Sequence, residues 1–122
     1  MVLGTLARDR LPAEIAVSAL TLAELASGPH AARDDLERSR RQAHLQQIEA
    51  SFESLPFDAA CARSYGRVYA AVALAGRKPR GPRAVDLMIA ATAIANQLPL
   101  FTRNAADLRG LGSLLDVVDL SA

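Results

Sequence analysis

One stretch of the chain constrains its fold more than any other, the run from Asp86 to Asp107. Asp86-Leu87-Met88-Ile89-Ala90-Ala91-Thr92-Ala93 predicts an apolar helix opened by an acid, and residues 98–101 predict a short buried strand. Thr102-Arg103-Asn104-Ala105-Ala106-Asp107 then predicts a polar loop carrying a second acid. Loops at the carboxyl ends of parallel strands are where open α/β sheets bind ligands, so the two acids stand where an active site forms.

The rest of the chain repeats the alternation of helix and short strand. Ile15-Ala16-Val17-Ser18 predicts a strand by composition, and Thr21 predicts the start of a short helix stopped by Gly28-Pro29. Residues 32–53 have Leu36, Ala43, Ile48 and Phe52 at helical intervals amid mixed charge, which predicts a long solvent-facing helix. Residues 54–57 predict a short strand or extended turn limited by Pro56. Asp58 then predicts the cap of a helix reaching Leu74 and ended by Gly76. Residues 77–83, with Pro79, Gly81 and Pro82, predict a loop, and Asp116-Val117-Val118 a last strand. The pattern specifies an α/β fold with a mostly parallel sheet flanked by helices.

A length of 122 residues, with 51% apolar and 22% charged, predicts a single globular domain over residues 1–122 and excludes a disordered chain. The apolar runs are too short for a membrane span, and no secretion signal is visible. The lone Cys61 makes no internal disulfide and has no companion at metal-ligand spacing, so a reducing, cytoplasmic setting is expected. A net charge of +1 excludes a global field drawing the protein onto nucleic acid. Arg77, Lys78, Arg80 and Arg83 nevertheless form a local basic cluster before Asp86, read either as a hold on RNA phosphates or as a solvated loop.

Each acid has a structural reading of its own. Thr21-x-x-Glu24 has the form of a capping box, Asp86 that of an N-cap or a first-turn acid matched to the helix dipole, and Asp107 that of a loop residue. Thr102 and Asn104 are able to close a turn on their own backbone. Gathered at one sheet edge, however, the carboxylates repel one another unless a cation neutralises them, and their oxygen donors suit a hard divalent ion, Mg²⁺ or Mn²⁺. His30, in a turn, and His44, on the long helix, read as surface residues with no partner for catalysis.

Taken together, Thr21-Leu22-Ala23-Glu24-Leu25, the Asp86 helix and Thr102-Arg103-Asn104-x-x-Asp107-Leu108 resemble the PIN-domain nucleases, in particular the VapC-like toxins of bacterial toxin–antitoxin pairs. The resemblance implies an α/β domain with a parallel sheet and an Mg²⁺- or Mn²⁺-dependent endoribonuclease acting on RNA such as tRNA or rRNA. It implies inhibition by a VapB-like antitoxin laid across the active-site groove, and commonly a homodimer. Glu24 matches the family's second acid, Asp86 the third and Asp107 the fourth, all metal-binding and catalytic, with Thr102 and Asn104 as supporting polar residues.

The family's first acid follows an N-terminal apolar strand, and no such strand is found in residues 1–10; Asp9, between Arg8 and Arg10 at a turn, is rejected for the role. Residues 1–8 resemble the end of the helix that normally follows that strand. The expectation is an N-terminally truncated domain lacking its central strand and most of one helix, roughly twenty residues by typical element lengths. A start codon assigned too late, or a decayed gene, accounts for it. The alternative reading of function is accordingly a catalytically inactive PIN module that binds an antitoxin without cleaving RNA.

Overall fold

The computed structural model describes residues 16–76, 83–102, 108, 111–112 and 114–119. The element order is β1 (Ala16–Ser18), α1 (Ala19–Ser27), a single 3₁₀ turn (Pro29–Ala31), α2 (Asp35–Ser51), β2 (Glu53–Leu55), α3 (Ala59–Leu74), α4 (Arg83–Ala95), β3 (Leu100–Thr102) and β4 (Val117–Asp119). These elements fall into two compact units that divide between Pro56 and Phe57. The readings of residues 1–15 lie outside the described residues, including the expected absence of the first strand and the rejection of Asp9.

In the first unit β1 and β2 pair in parallel, with Ala16 opposite Glu53, Val17 opposite Ser54 and Ser18 opposite Leu55. A parallel pair needs a crossover, and α1 and α2 supply it. Pro56, which has no amide hydrogen to continue a ladder, stands just past the end of β2. Helix α1 begins two residues earlier than the sequence predicts. Ser18, the last residue of β1, is its N-cap, and the Ser18 hydroxyl accepts a hydrogen bond from the Thr21 amide at 3.0 Å.

Helix α2 is capped by Asp34, whose carboxylate accepts from the Glu37 amide at 2.7 Å. Its buried face matches the expected one only in part. Ile48 is buried as expected, but Leu36 is 63% exposed and Ala43 is exposed, and Leu45, outside the expected stripe, joins Ile48 and Val17 in the core of this unit. The inward stripe is completed by half-buried Arg41 and His44, since the aliphatic stem of an arginine covers apolar surface while its head stays polar. The Arg41 guanidinium donates to the Gly28 carbonyl at 2.8 Å and to Glu37, fixing the turn between α1 and α2. His44 is therefore not the surface residue expected: its Nε2 is enclosed and lacks a hydrogen-bond partner among the described residues. His30 is exposed in the 3₁₀ turn, as expected.

The second unit is built on the antiparallel apposition of two helices and a second parallel pair. Asp58 caps α3, accepting from the Cys61 amide at 3.0 Å. Gly76 follows its end with φ of 77°, the left-handed conformation that makes glycine the favoured helix stop. Cys61, Ser64, Val68 and Val72 form one buried stripe of α3, and Leu87, Ala90 and Ala91 of α4 are wholly buried. Small residues on α4 let the helices approach closely.

β3 and β4 pair with Leu100 opposite Val117, Phe101 opposite Val118 and Thr102 opposite Asp119. The Leu100 amide donates to the Asp116 carbonyl at 2.8 Å, so Asp116 precedes the last strand rather than opening it. β3 also starts later than predicted. Leu98 is 44% exposed and belongs to the turn that closes α4, in which the Leu98 amide donates to Ala93 O at 2.9 Å and the Gln97 amide to Ile94 O at 3.0 Å. This pair of bonds is the Schellman pattern, and Gln97, with φ of 56°, occupies the position usually held by glycine. Within the described residues the α/β class with parallel strands, expected from the sequence, is found.

Candidate active site

Glu24 lies in the middle of α1, six residues beyond the Ser18 cap, and is exposed. The capping-box reading of this residue fails on that geometry. The third position of α1 is Thr21, whose amide is already satisfied by Ser18, and Glu24 is a full turn too far along to reach back to the cap. Thr21 is itself buried, its hydroxyl 3.1 Å from that of Ser18. Capping does not account for the glutamate.

Asp86 is half-buried in the first turn of α4, three residues inside the helix rather than at its cap. Arg83, expected in the preceding loop, is the first residue of α4 and is half-buried. The position of Asp86 is favourable for a negative charge, because the exposed amides of a first turn present roughly half a positive charge.

Thr102 closes β3 and is buried. A tight turn over residues 96–99 connects α4 to β3. Asp86 and Thr102 belong to the second unit, and Glu24 belongs to the first. Asn104 and Asp107, and Arg77, Lys78 and Arg80 of the basic cluster, lie outside the described residues. Among the described residues no three His, Cys, Asp or Glu side chains form a group able to hold a metal ion. Within the second unit, Asp86 and Thr102 offer carboxylate and hydroxyl oxygen, donors of the kind that suit a hard cation such as Mg²⁺ and not a thiolate- or imidazole-seeking one.

Such a chain is an α/β protein that sends parallel strands into acid-bearing helices and loops. It belongs to the PIN domain family, whose model matches residues 2–110. It is 37% identical over 94 residues to Ribonuclease VapC5 of Mycobacterium tuberculosis, an alignment covering 77% of this chain and 67% of that protein. Among solved structures it is similar to VapBC-5 of Mycobacterium tuberculosis, a member of the VapBC family of toxin–antitoxin systems, with a TM-score of 0.81 and 33% identity over 97% of this chain and 90% of that one. It is also similar to VapBC2 from Rickettsia felis bound to a DNA fragment from their promoter, with a TM-score of 0.69 and 27% identity over 87% and 74% of the two chains. FitAcB from Neisseria gonorrhoeae gives a TM-score of 0.76 and 27% identity over 91% and 79%. The likeness is thus to VapC-type PIN domains. No helix among the described residues is long and apolar enough to cross a membrane.

Proposed function

We propose that the protein is a VapC-like endoribonuclease toxin that depends on Mg²⁺ or Mn²⁺ and is neutralised by a VapB-like antitoxin. The observation that carries this reading is the 37% identity to a named ribonuclease, inside a PIN match whose span includes Glu24, Asp86 and Asp107. The failure of the capping-box explanation for Glu24 supports it independently, since an exposed glutamate in mid-helix has no part in ending or starting that helix.

In this reading Glu24, Asp86 and Asp107 hold the cation through carboxylate oxygens, with Thr102 and Asn104 orienting the acid that follows β3. The ion supplies Lewis acidity toward the scissile phosphodiester and lowers the pKa of water. Asp86 contributes its carboxylate from the first turn of α4, where the helix dipole favours negative charge. The arginines and lysine of residues 77–83 neutralise RNA phosphates entering the acidic site, which otherwise repels them. The antitoxin competes for the same groove, and a homodimer is the assembly proposed.

The test is cleavage of total RNA by the purified protein with Mg²⁺ or Mn²⁺, with EDTA, and after the ion is restored. Cleavage that stops with EDTA and resumes with the metal is expected. Undiminished cleavage in EDTA, from a preparation free of other nucleases, refutes metal dependence. A folded protein that binds a VapB-type antitoxin yet never cuts RNA replaces the nuclease reading with the binding-only one.

A further inference from the structure

Helix α3 carries two arginines and no acid between Ala59 and Leu74. In α2, by contrast, Arg38 and Arg41 are matched with Asp35 and Glu37 one turn away, and Glu37 also pairs with Arg33 just before the helix. Arg63 and Arg67 are exposed and enter no ion pair among the described residues. The nearest acid in sequence, Asp58, is committed to the Cys61 amide at the helix cap.

The two arginines are one turn apart on the same flank of α3, where they line an open groove of about 400 Å³ within the second unit. Ala60, Ile94 and Ala95 supply apolar lining, and Ser64 and Gln97 add neutral polar groups; no carboxylate lines it. Gln97 holds its side chain at this groove from a left-handed backbone position that glycine would occupy with less strain. The carboxyl end of α4 offers only about half a negative charge, too little to balance two guanidinium groups. The groove is therefore electropositive, and its donors are those that bind phosphate oxygens in forked pairs.

We infer that the groove between Arg63, Arg67 and Gln97 binds two phosphates of an RNA strand away from the reacting acids. The inference rests on the ribonuclease reading. Ala95 lies nine residues beyond Asp86 on one helix, about 14 Å along its axis, so the groove meets the strand at a distance from the scissile bond. Its contribution is to position and retain the substrate. Because phosphates carry no base identity, it does so without choosing sequence.

The experiment measures binding of a short, labelled oligouridine RNA to the full chain in EDTA, across a series of salt concentrations, for the unchanged protein, R63Q/R67Q and R63K/R67K. Cleavage of total RNA with Mg²⁺ is measured alongside. Loss of two phosphate contacts lowers the slope of log K against log salt by about 1.4 for a single strand. That fall is expected for R63Q/R67Q, with a thermal melt like that of the unchanged protein, and the lysine pair is expected to recover most of the slope. An unchanged slope in R63Q/R67Q, with cleavage by the unchanged protein intact, overturns the groove and leaves the nuclease reading standing. If R63Q/R67Q instead loses only the affinity for an antitoxin, the groove belongs to a protein partner and the inference is also overturned. An unchanged protein that neither binds nor cleaves RNA refutes both.

Discussion

The Ser18 hydroxyl accepts the amide hydrogen of Thr21 at 3.0 Å and lies 3.1 Å from the Thr21 hydroxyl, so one buried pair both ends β1 and starts α1. Replacing Ser18 with alanine strands an amide and a hydroxyl away from water. Ser18→Ala is expected to lower unfolding stability by roughly 1–2 kcal/mol, and Ser18→Thr to recover part of it. Urea unfolding measures both; an alanine variant as stable as the unchanged protein removes the cap from the account of α1.

The acids are separable from folding. Glu24→Gln and Asp86→Asn keep shape and hydrogen-bonding capacity while removing the charge a divalent cation needs. Each is expected to lower RNA cleavage by at least a hundredfold with a thermal midpoint equal to or above that of the unchanged protein. Near-normal cleavage by either variant would show that its residue holds no metal.

Asp58 ties stability to pH. The Cys61 amide that it caps holds its carboxyl below the ordinary value of 3.8. A folded-state value lower than the unfolded one favours the folded form fully above the unfolded value, and that favour is lost as pH falls through the lowered one. Asp58→Asn retains a good cap without the charge. The thermal midpoint of the unchanged protein should therefore fall relative to that of Asp58→Asn as pH drops below about 4. Parallel curves for the two proteins over that range would contradict the assignment.

Gln97 puts stability and binding in opposition. Gln97→Gly relieves the left-handed backbone and is expected to raise stability slightly, by less than about 1 kcal/mol once the flexibility of glycine in the unfolded chain is counted. If the side chain serves the arginine groove, the same variant binds oligouridine more weakly. Stability and affinity rising together would show that the side chain has no hold on the ligand.

Leu87 is fully buried on the face of α4 next to the residue proposed to bind metal. Leu87→Ala leaves a cavity and is expected to cost about 2–5 kcal/mol, read by denaturant unfolding. A smaller loss would mean that the neighbouring small residues collapse into the space.

Local signals in the sequence located α3 to within a residue, because Asp58 and Gly76 act on the backbone directly and need no tertiary context. The sequence leaves the start of α1 open, because Ser18 and Thr21 are equally good caps; only the pairing of β1 with β2 decides that Ser18 is the last extended residue. The inner face of α2 is likewise settled only by packing: Leu36 fits the helical period yet is exposed, and Leu45, off that spacing, is buried as Ile48 is. An apolar run starting at Leu98 reads as strand and gives no warning of the left-handed glutamine just before it. As for the candidate site, the acids were visible as residues, and the places of Glu24 within α1 and Asp86 within α4 needed the structure. The arginine groove has a signal in the chain, two arginines one turn apart in a helix without acids, but its lining by Gln97 from the end of α4 needs the structure.

The direct passage from β1 to α1 leaves no connecting residue between strand and helix. Substitutions at this junction cost only a cap, but a change of length is a different matter. One residue inserted after Ser18 would turn the whole of α1 by about 100° about its axis, carrying Glu24 off its exposed face and putting Ala23 in its place. The segment from Ala16 to Glu24 thus works as a ruler whose length, more than its composition, sets where the glutamate points.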